Sequence, residues 1–165
     1  MRTAICESDL KREFLCTECG RKLAEKEISE LDVRVSRLLH KLSKRFFEPD
    51  IEFKKALELE NLIVLVCTGN IGSAIGRRGV IVAEMSRELG KKVRIIEKAK
   101  DEKKMIGDLV GAVRLLGVNK IFRPEGLGFT VKIAKGDEGR MVTNAASLEK
   151  ALSELLAADV AIEFE

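Results

Sequence analysis

The sequence predicts an α+β fold in which one order of helices and strands occurs twice. Amphipathic helical patterns alternate with short apolar segments typical of strands along most of the chain. An offset of 67 residues aligns the second half with the first, so that Gly69 falls on Gly136 and Gly72 on Gly139. We therefore predict an internal duplication behind a short cysteine-containing head. The predicted head, first domain and second domain lie at residues 1–26, 27–100 and 101–165.

The first copy begins with an amphipathic helix over residues 30–46. Ser29 and Asp32 have the spacing of a capping box, and apolar residues recur behind them at steps of three and four. Pro49 is expected to end this helix. The unbroken apolar run at 62–67 predicts a central strand buried on both faces. The other predicted elements are a half-exposed strand, a helix closed by a glycine and a third strand, at residues 51–59, 80–89 and 92–98, and a short helix between the central strand and the helix at 80–89.

The second copy repeats this order. Asp101 is placed to cap a helix whose apolar residues include Val113 and Leu116, and Gly117 is expected to stop it. Each copy therefore has the order αββααβ, with a three-stranded sheet covered by helices. The remaining predicted elements of the second copy are two strands, a helix and a closing strand, at residues 121–122, 129–134, 145–156 and 160–164.

Composition excludes several classes of function. The chain has no Trp, no Tyr and seven Phe, which excludes an RNA-binding module built on rows of aromatic stacking platforms. His40 is the single histidine, so neither a histidine-rich metal site nor a Ser-His-Asp triad is expected. The carboxylates are spaced for pairing with Lys and Arg on helix surfaces. We therefore predict a protein that is not an enzyme and has no small-molecule substrate.

The mild overall charge hides a strong asymmetry. Thirty Lys and Arg residues against 27 Asp and Glu give a net charge of +3. Residues 71–100, however, carry eight basic and three acidic side chains, whereas residues 136–165 carry two basic and seven acidic ones. The N-terminus has no apolar leader, and no run approaches 18 apolar residues. We therefore predict a cytoplasmic protein that does not enter a membrane.

The most informative segment is glycine-rich and follows the predicted central strand. Its glycines at 69, 72, 76 and 79 fit neither the G-x-G-x-x-G fingerprint of dinucleotide-binding folds nor the G-x-x-x-x-G-K-[ST] phosphate loop. Gly76, Arg77, Arg78 and Gly79, here named the arginine loop, instead form a tight connector in front of a helix. Two glycines permit close approach of a phosphodiester, and the arginines place positive charge beside it. The alternative is a helix–turn–helix hairpin whose arginines are merely solvated.

This segment resembles the I-G-x-x-G loop of KH domains. Ile75 and the arginine loop follow an apolar strand and precede a helix and a strand, and the helix and two strands before them match the type II KH order. The resemblance implies two fused type II KH domains that bind single-stranded RNA, with the loop on the sugar–phosphate backbone and bases in an aliphatic groove. The residues assigned in this way to RNA binding are Ile71, Ile75, Gly76, Arg77, Arg78, Gly79, Arg87, Lys91, Lys92 and Arg94.

The second copy departs from the KH pattern. The 67-residue offset places residues 143–146, which read Thr-Asn-Ala-Ala, opposite the arginine loop. The segment 136–139, Gly-Asp-Glu-Gly, has the G-x-x-G spacing but aligns upstream of the loop and carries two acids. We therefore predict a degenerate second KH domain that does not hold phosphate.

Two closely linked type II KH units resemble the archaeal NusA-like transcription factors over residues 27–165. This resemblance implies RNA binding near RNA polymerase, in transcription elongation or termination. KH units also occur in ribosomal and RNA-processing proteins, so a role there is an open alternative. A further alternative is a protein-interaction adaptor that docks on RNA polymerase or the ribosome through the head and the acidic second unit.

Three cysteines suggest a metal site in the head. Cys16 and Cys19 have the C-x-x-C-G form of a zinc knuckle, and Cys6 with Asp9 has the spacing of a second knuckle in which the carboxylate replaces a thiolate. We predict a structural zinc ion held by these four residues. The alternative is a decayed site in which Cys16 and Cys19 are free or oxidised. Cys67 lies in the predicted central strand and is interpreted as a small core residue.

Overall fold

A computed structural model gives the structure of residues 1–46 and 50–165. Pro49, which is expected to end the first long helix, lies outside the described residues. The chain forms two compact units, and no helix in its described part is both long enough and apolar enough to cross a membrane. The first unit comprises Met1–Leu57 and Ile63–Lys98, and the second comprises Glu58–Leu62 and Ala99–Glu165.

The first unit consists of the head, a three-stranded sheet and the helices that pack on it. Its elements, in chain order, are a 3-10 turn at Glu7–Leu10, α1 at Thr17–Ala24, α2 at Glu30–Phe46, β1 at Ile51–Glu58, β2 at Leu62–Gly69, α3 at Ile71–Ile75, α4 at Val80–Leu89 and β3 at Lys92–Glu97. The strand order is β1-β2-β3, so the apolar run at 62–67 is the central strand, as predicted.

Aliphatic side chains from α2, α4 and the sheet form the core of the first unit. Leu39 of α2, Leu65 of β2 and Met85 of α4 belong to one cluster, and each is at most 1% exposed. All residues of the run 62–67 are buried, which explains why this segment carries no polar side chain. Cys67 is part of the same cluster, and burial raises the pKa of its thiol to about 12. Its interpretation as a core residue is therefore confirmed.

The second unit repeats the order of the first. Its elements are α5 at Glu102–Val110, β4 at Leu115–Arg123, β5 at Gly126–Ile133, a 3-10 segment at Lys135–Arg140, α6 at Ala145–Leu156 and β6 at Asp159–Phe164. Strands β4 and β5 are antiparallel, β5 and β6 are parallel, and the sheet order is β4-β5-β6. Phe129, Val131 and Ile133 alternate along β5 on its buried face. The α+β class and the two three-stranded sheets are confirmed.

The prediction for α5 was wrong at its C-terminal end. The helix was expected to continue to Gly117, but it ends at Val110. Gly111 has a φ of 97°, and a Cβ atom there would lie 2.7 Å from Cγ1 of Val142, so the chain leaves the helix at this point. Leu116, assigned to the helix from its apolar spacing, lies in β4 and is 54% exposed.

The capping box at the start of α2 also ties this helix to the sheet. The amide of Asp32 donates to Oγ of Ser29 at 3.0 Å, and the amide of Ser29 donates to Oδ2 of Asp32 at 2.9 Å. The second carboxylate oxygen, Oδ1, accepts a hydrogen bond from the amide of Ala56 in β1 at 2.7 Å. Asp32 is 5% exposed, so removing its carboxylate would leave two amides in a poorly hydrated place.

We expect Asp32→Ala to lower the free energy of unfolding by about 2 kcal/mol or more, because two hydrogen bonds to a carboxylate are lost. Urea unfolding followed by circular dichroism measures this loss. Glu30→Ala is the matched control, since Glu30 is an exposed acid in the same first turn and should change stability much less. Equal losses for the two variants would contradict this account of the cap.

Candidate nucleic-acid interface and metal site

The arginine loop turns the chain sharply between α3 and α4. Helix α3 ends at Ile75, and Arg77–Gly79 form a single 3-10 turn before α4 begins. Gly76, Arg78 and Gly79 have positive φ angles of 81°, 55° and 71°. This left-handed region is accessible to glycine and unfavourable for arginine, so the backbone is strained at Arg78.

The two glycines of the loop are required for different reasons. A Cβ atom on Gly76 would lie 2.9 Å from Cγ1 of Ile81 and 3.1 Å from Cγ1 of Val80. A Cβ atom on Gly79 would meet nothing within 4 Å. Packing and backbone conformation therefore both select glycine at position 76, whereas only the positive φ selects it at position 79. The open space at Gly79 leaves the backbone accessible from outside.

The loop arginines are exposed and carry no internal counterion. Within the described residues, neither Arg77 nor Arg78 forms an ion pair with a carboxylate. On α4, by contrast, Arg87 pairs with the carboxylate of Glu84, and this pairing raises the pKa of Arg87. An anion that approached the loop would therefore not need to displace a carboxylate from either arginine.

The other predicted RNA contacts fall into two groups. Ile71 and Ile75 lie half-buried on α3, immediately before the arginine loop, and Arg94 is half-buried in β3. The remaining three lie in the last turn of α4 or beyond its C-terminal end, whereas the loop precedes its N-terminal end. A ten-residue helix is about 15 Å long, so these three residues are not brought to the loop. They are Arg87, Lys91 and Lys92.

The corresponding segment of the second copy has a different structure. Asn144 is the N-cap of α6, and its side-chain oxygen accepts a hydrogen bond from the amide of Ser147 at 2.8 Å. Ala145 and Ala146, which align with the end of the arginine loop, form the first turn of α6. The second copy therefore has no exposed arginine pair at this position.

The G-x-x-G spacing at 136–139 belongs to an internal ion-pair network. Asp137 is 2% exposed, and its Oδ2 accepts hydrogen bonds from the amide of Arg114 at 2.8 Å and from Nε of Arg114 at 2.9 Å. Arg140 also lies near this carboxylate, at 3.6 Å. The side-chain hydrogen bond from Arg114 lowers the pKa of Asp137, which keeps the carboxylate ionised. Asp137 and Arg114 are therefore engaged with each other, and this segment does not present unpaired cations to a phosphate as the arginine loop does.

The four predicted metal ligands converge in the head. One ligand atom from each of Cys6, Asp9, Cys16 and Cys19 lies within 4.8 Å of the other three, and we name these residues the head cluster. The Sγ atoms of Cys6 and Cys16 are 3.8 Å apart, and none of these cysteines forms a disulfide. The cluster could hold a metal ion.

Asp9 is the member whose chemistry points most directly to a ligand. It is fully buried, and its Oδ2 accepts a hydrogen bond from the amide of Cys16 at 3.0 Å, which lowers the pKa of the carboxyl group well below its usual range. Its Oδ1 is buried without a hydrogen-bond partner. An ionised oxygen left unpaired beside three sulfur atoms is unfavourable without a cation.

The thiols of the head cluster lie in contrasting surroundings. Cys6 is exposed, and a hydrogen bond with the Ser8 hydroxyl at 3.1 Å lowers its pKa. Cys19 is 2% exposed, and burial raises its pKa to about 12. Cys16 is the N-cap of α1, where its sulfur accepts a hydrogen bond from the amide of Cys19 at 3.5 Å. The spacing of the cysteines does not predict a role for Ser8, because no sequence pattern indicates that its hydroxyl lies beside the sulfur of Cys6.

The head is attached to α2 by both polar and apolar contacts. Arg37 of α2 donates from Nε to the carbonyl oxygen of Asp9 at 3.2 Å and from its guanidinium to that of Glu13 at 3.0 Å. Ile5, Cys19 and Val33 form a small buried apolar cluster, in which Val33 belongs to α2. A metal ion in the head cluster would therefore stabilise the packing of the head on the first unit.

We expect Gly76→Ala to destabilise the protein by about 2 kcal/mol or more, because both the left-handed backbone and the contact with Ile81 oppose a methyl group. Gly79→Ala is the matched control and should lose only about 1 kcal/mol, from the backbone alone. Urea unfolding of both variants measures the difference. A larger loss for Gly79→Ala would contradict the packing described for the loop.

Comparison with known proteins supports the fold. No family model matches the chain, and no curated protein matches it. Seventy-two chains of solved structures match it. One, described as the crystal structure of APE1850, is 21% identical, with a TM-score of 0.58 over 77% of this chain and 96% of that chain. This likeness shows that the two chains share a fold.

Proposed function

We propose that this protein binds single-stranded RNA through the arginine loop and acts without catalysing a reaction. The observation that carries this proposal is the pair of exposed arginines without counterions, on a turn whose glycines leave the backbone accessible. A phosphodiester can approach such a turn closely and be held by both charges. The alternative of merely solvated arginines does not explain why the strained position 78 carries arginine rather than glycine.

Aliphatic side chains of the helices that flank the loop, and of β3, which contacts α3, support recognition of bases. Ile71 on α3, Val82 on α4 and Ile95 on β3 are only partly buried, although each packs against the core of the first unit. Partly exposed aliphatic side chains next to a phosphate-binding turn can contact the faces of unstacked bases. This arrangement is consistent with a type II KH domain, and it requires neither Trp nor Tyr.

We propose that this RNA binding serves transcription, in the manner of the NusA-like factors that the sequence resembles. The repeated order of elements supports this assignment, with a 3-10 segment in the second copy where the first has the short helix α3, together with the absence of an arginine loop from the second copy. The adaptor alternative predicts that the protein still captures RNA polymerase or the ribosome after nuclease treatment. It predicts the same for the variant Arg77→Asp with Arg78→Asp, which is expected to lose RNA binding. Association that requires RNA instead favours the proposal.

We also propose that the head cluster holds a structural zinc ion. Zinc bound to thiolates at about 2.3 Å in a tetrahedral site separates its sulfur ligands by about 3.8 Å, which is the distance between Sγ of Cys6 and Sγ of Cys16. The unpaired Oδ1 of Asp9 would complete the four ligands. Zinc would here supply folding energy to the head and no catalytic chemistry.

The combined variant Arg77→Asp and Arg78→Asp should lose most of its affinity for single-stranded RNA. Two cations are replaced by anions at the loop, so we expect at least a tenfold weaker Kd near physiological salt. The slope of log K against log salt should become shallower by about 1.4, since two phosphate contacts are lost. Fluorescence anisotropy with a labelled 12-nucleotide RNA measures both quantities.

The control for this variant is Lys103→Asp with Lys104→Asp, which makes the same change in net charge. Both lysines are exposed in the first turn of α5, where acidic residues suit the helix N-terminus. This control should retain most of the affinity and the salt slope. An equal loss in the two variants would mean that overall charge, not the arginine loop, determines binding.

Purified protein should contain one zinc ion per chain, and Cys16→Ser should lose it. Removing zinc with a chelator should lower the Tm of the first unit by roughly 10 °C, because the ion binds only the folded head. Native mass spectrometry measures the stoichiometry. Cys67→Ala is the control, since Cys67 lies outside the head cluster and should leave the zinc content unchanged. Stoichiometric zinc in Cys16→Ser would contradict the proposed ligands.

A further inference from the structure

The hairpin of the second unit presents an aromatic ring to solvent. Strands β4 and β5 are joined by a turn at Pro124 and Glu125, and Phe122 lies beside this turn, opposite Leu127. The side chain of Phe122 is 81% exposed. A single exposed aromatic residue is not unusual on a protein surface, so its surroundings decide whether it is informative.

One cation lies over this ring, and a second follows it along the strand on the opposite face. Nζ of Lys120 is 5.7 Å from the ring centroid of Phe122 and 5.7 Å from that of the buried Phe129. Residues 120 and 122 lie on one face of β4 because side chains alternate along a strand. Arg123 follows on the opposite face, is exposed, and forms no ion pair within the described residues. The tip therefore combines an exposed ring and a cation on one face of the hairpin with a second cation on the other face.

The acidic neighbours only partly offset this charge. Nζ of Lys120 is 3.4 Å from the carboxylate of Glu102 on α5, and Glu125 is exposed in the turn. Across residues 115–133 the hairpin carries three basic side chains and one acidic one. Among the described side chains, the other exposed large apolar residues are Phe14 and Leu116, and neither has a cation placed near it in this way.

We propose that the hairpin tip, defined by Lys120, Phe122 and Arg123, is a second contact for single-stranded RNA, in which a base stacks on Phe122 and the cations face the adjacent phosphates. The chemistry fits a nucleotide, since every base offers a flat π surface and a phosphate nearby. A purely apolar partner would desolvate both cations, of which Arg123 has no carboxylate partner among the described residues, and this disfavours it. This inference rests on the proposed RNA binding, although it concerns a different unit of the chain.

The absence of tryptophan from the chain permits a direct test. Phe122→Trp introduces a single fluorophore at the hairpin tip, and stacking of a base should quench its emission when a 12-nucleotide uridine RNA is added. Phe14→Trp is the matched control, because Phe14 is 79% exposed in the head, and its emission should not change. In addition, Phe122→Ala should weaken RNA binding by about 5- to 20-fold, whereas Phe14→Ala should not.

The outcomes separate this inference from the proposed function. Quenching in Phe122→Trp that persists at low salt in the Arg77→Asp and Arg78→Asp background supports a second contact that is independent of the loop. RNA binding without quenching, and with equal affinity for Phe122→Ala and wild type, overturns the inference and leaves the loop assignment intact. Quenching in Phe122→Trp, together with an unchanged RNA affinity and salt slope for the loop variant, overturns the loop assignment instead. No RNA binding by any variant overturns both.

Because Phe122 is exposed, thermal unfolding should show that these variants fold normally.

Discussion

A side chain at position 76 would lie 2.9 Å from Ile81, and this steric limit shapes the candidate RNA site. Ile81 is 1% exposed and belongs to the main core cluster of the first unit, so it cannot move away without opening a cavity. The chain must therefore leave α3 through glycine. Arg77 and Arg78 follow directly in the loop, and both are exposed to solvent. The segment 76–81 therefore contains both the glycine that core packing requires and the two exposed arginines.

The two copies use the same order of elements for different chemistry. In the first copy, the connection between sheet and second helix leaves two cations unpaired at the surface. In the second copy, Asn144 caps α6, and Arg114 is held by the buried carboxylate of Asp137. Polar groups that already form hydrogen bonds with one another are less available to bind a phosphate. Two units with the same strand order therefore differ in what they present to a phosphate, and only the first has an arginine loop.

Much of the fold could be predicted because its signals are local. The bounds of α4 and α6 agree with the periodic apolar pattern between their capping residues, and the fully apolar run identified β2. The end of α5 could not be predicted in this way, because Val113 and Leu116 keep helical spacing although the chain leaves the helix at Gly111, where a side chain would have no room beside Val142. That contact joins residues 31 positions apart, so no local pattern reports it.

In the candidate sites, too, local patterns predicted some features, whereas features that depend on tertiary packing could not be predicted. Spacing alone predicted the convergence of the head cluster, since two knuckle-like pairs constrain where their ligands can lie. It could not show that Oδ1 of Asp9 is buried without a partner, nor that Arg87, Lys91 and Lys92 lie at the far end of α4 from the loop. The exposure of the Phe122 ring could not be predicted either, because it depends on which helices cover the sheet and where they end.

The central claim is that the arginine loop holds the RNA backbone, and amide chemical shifts test it most directly. A four-nucleotide RNA, about the length that is bound by the KH domains which the sequence resembles, should be titrated into ¹⁵N-labelled protein. The account predicts the largest shifts at the amides of residues 76–79 and in the first turn of α4, with smaller ones near Ile71 and Ile95. Saturable binding whose largest shifts lie in the head or on α6, with residues 76–79 unaffected, would contradict it.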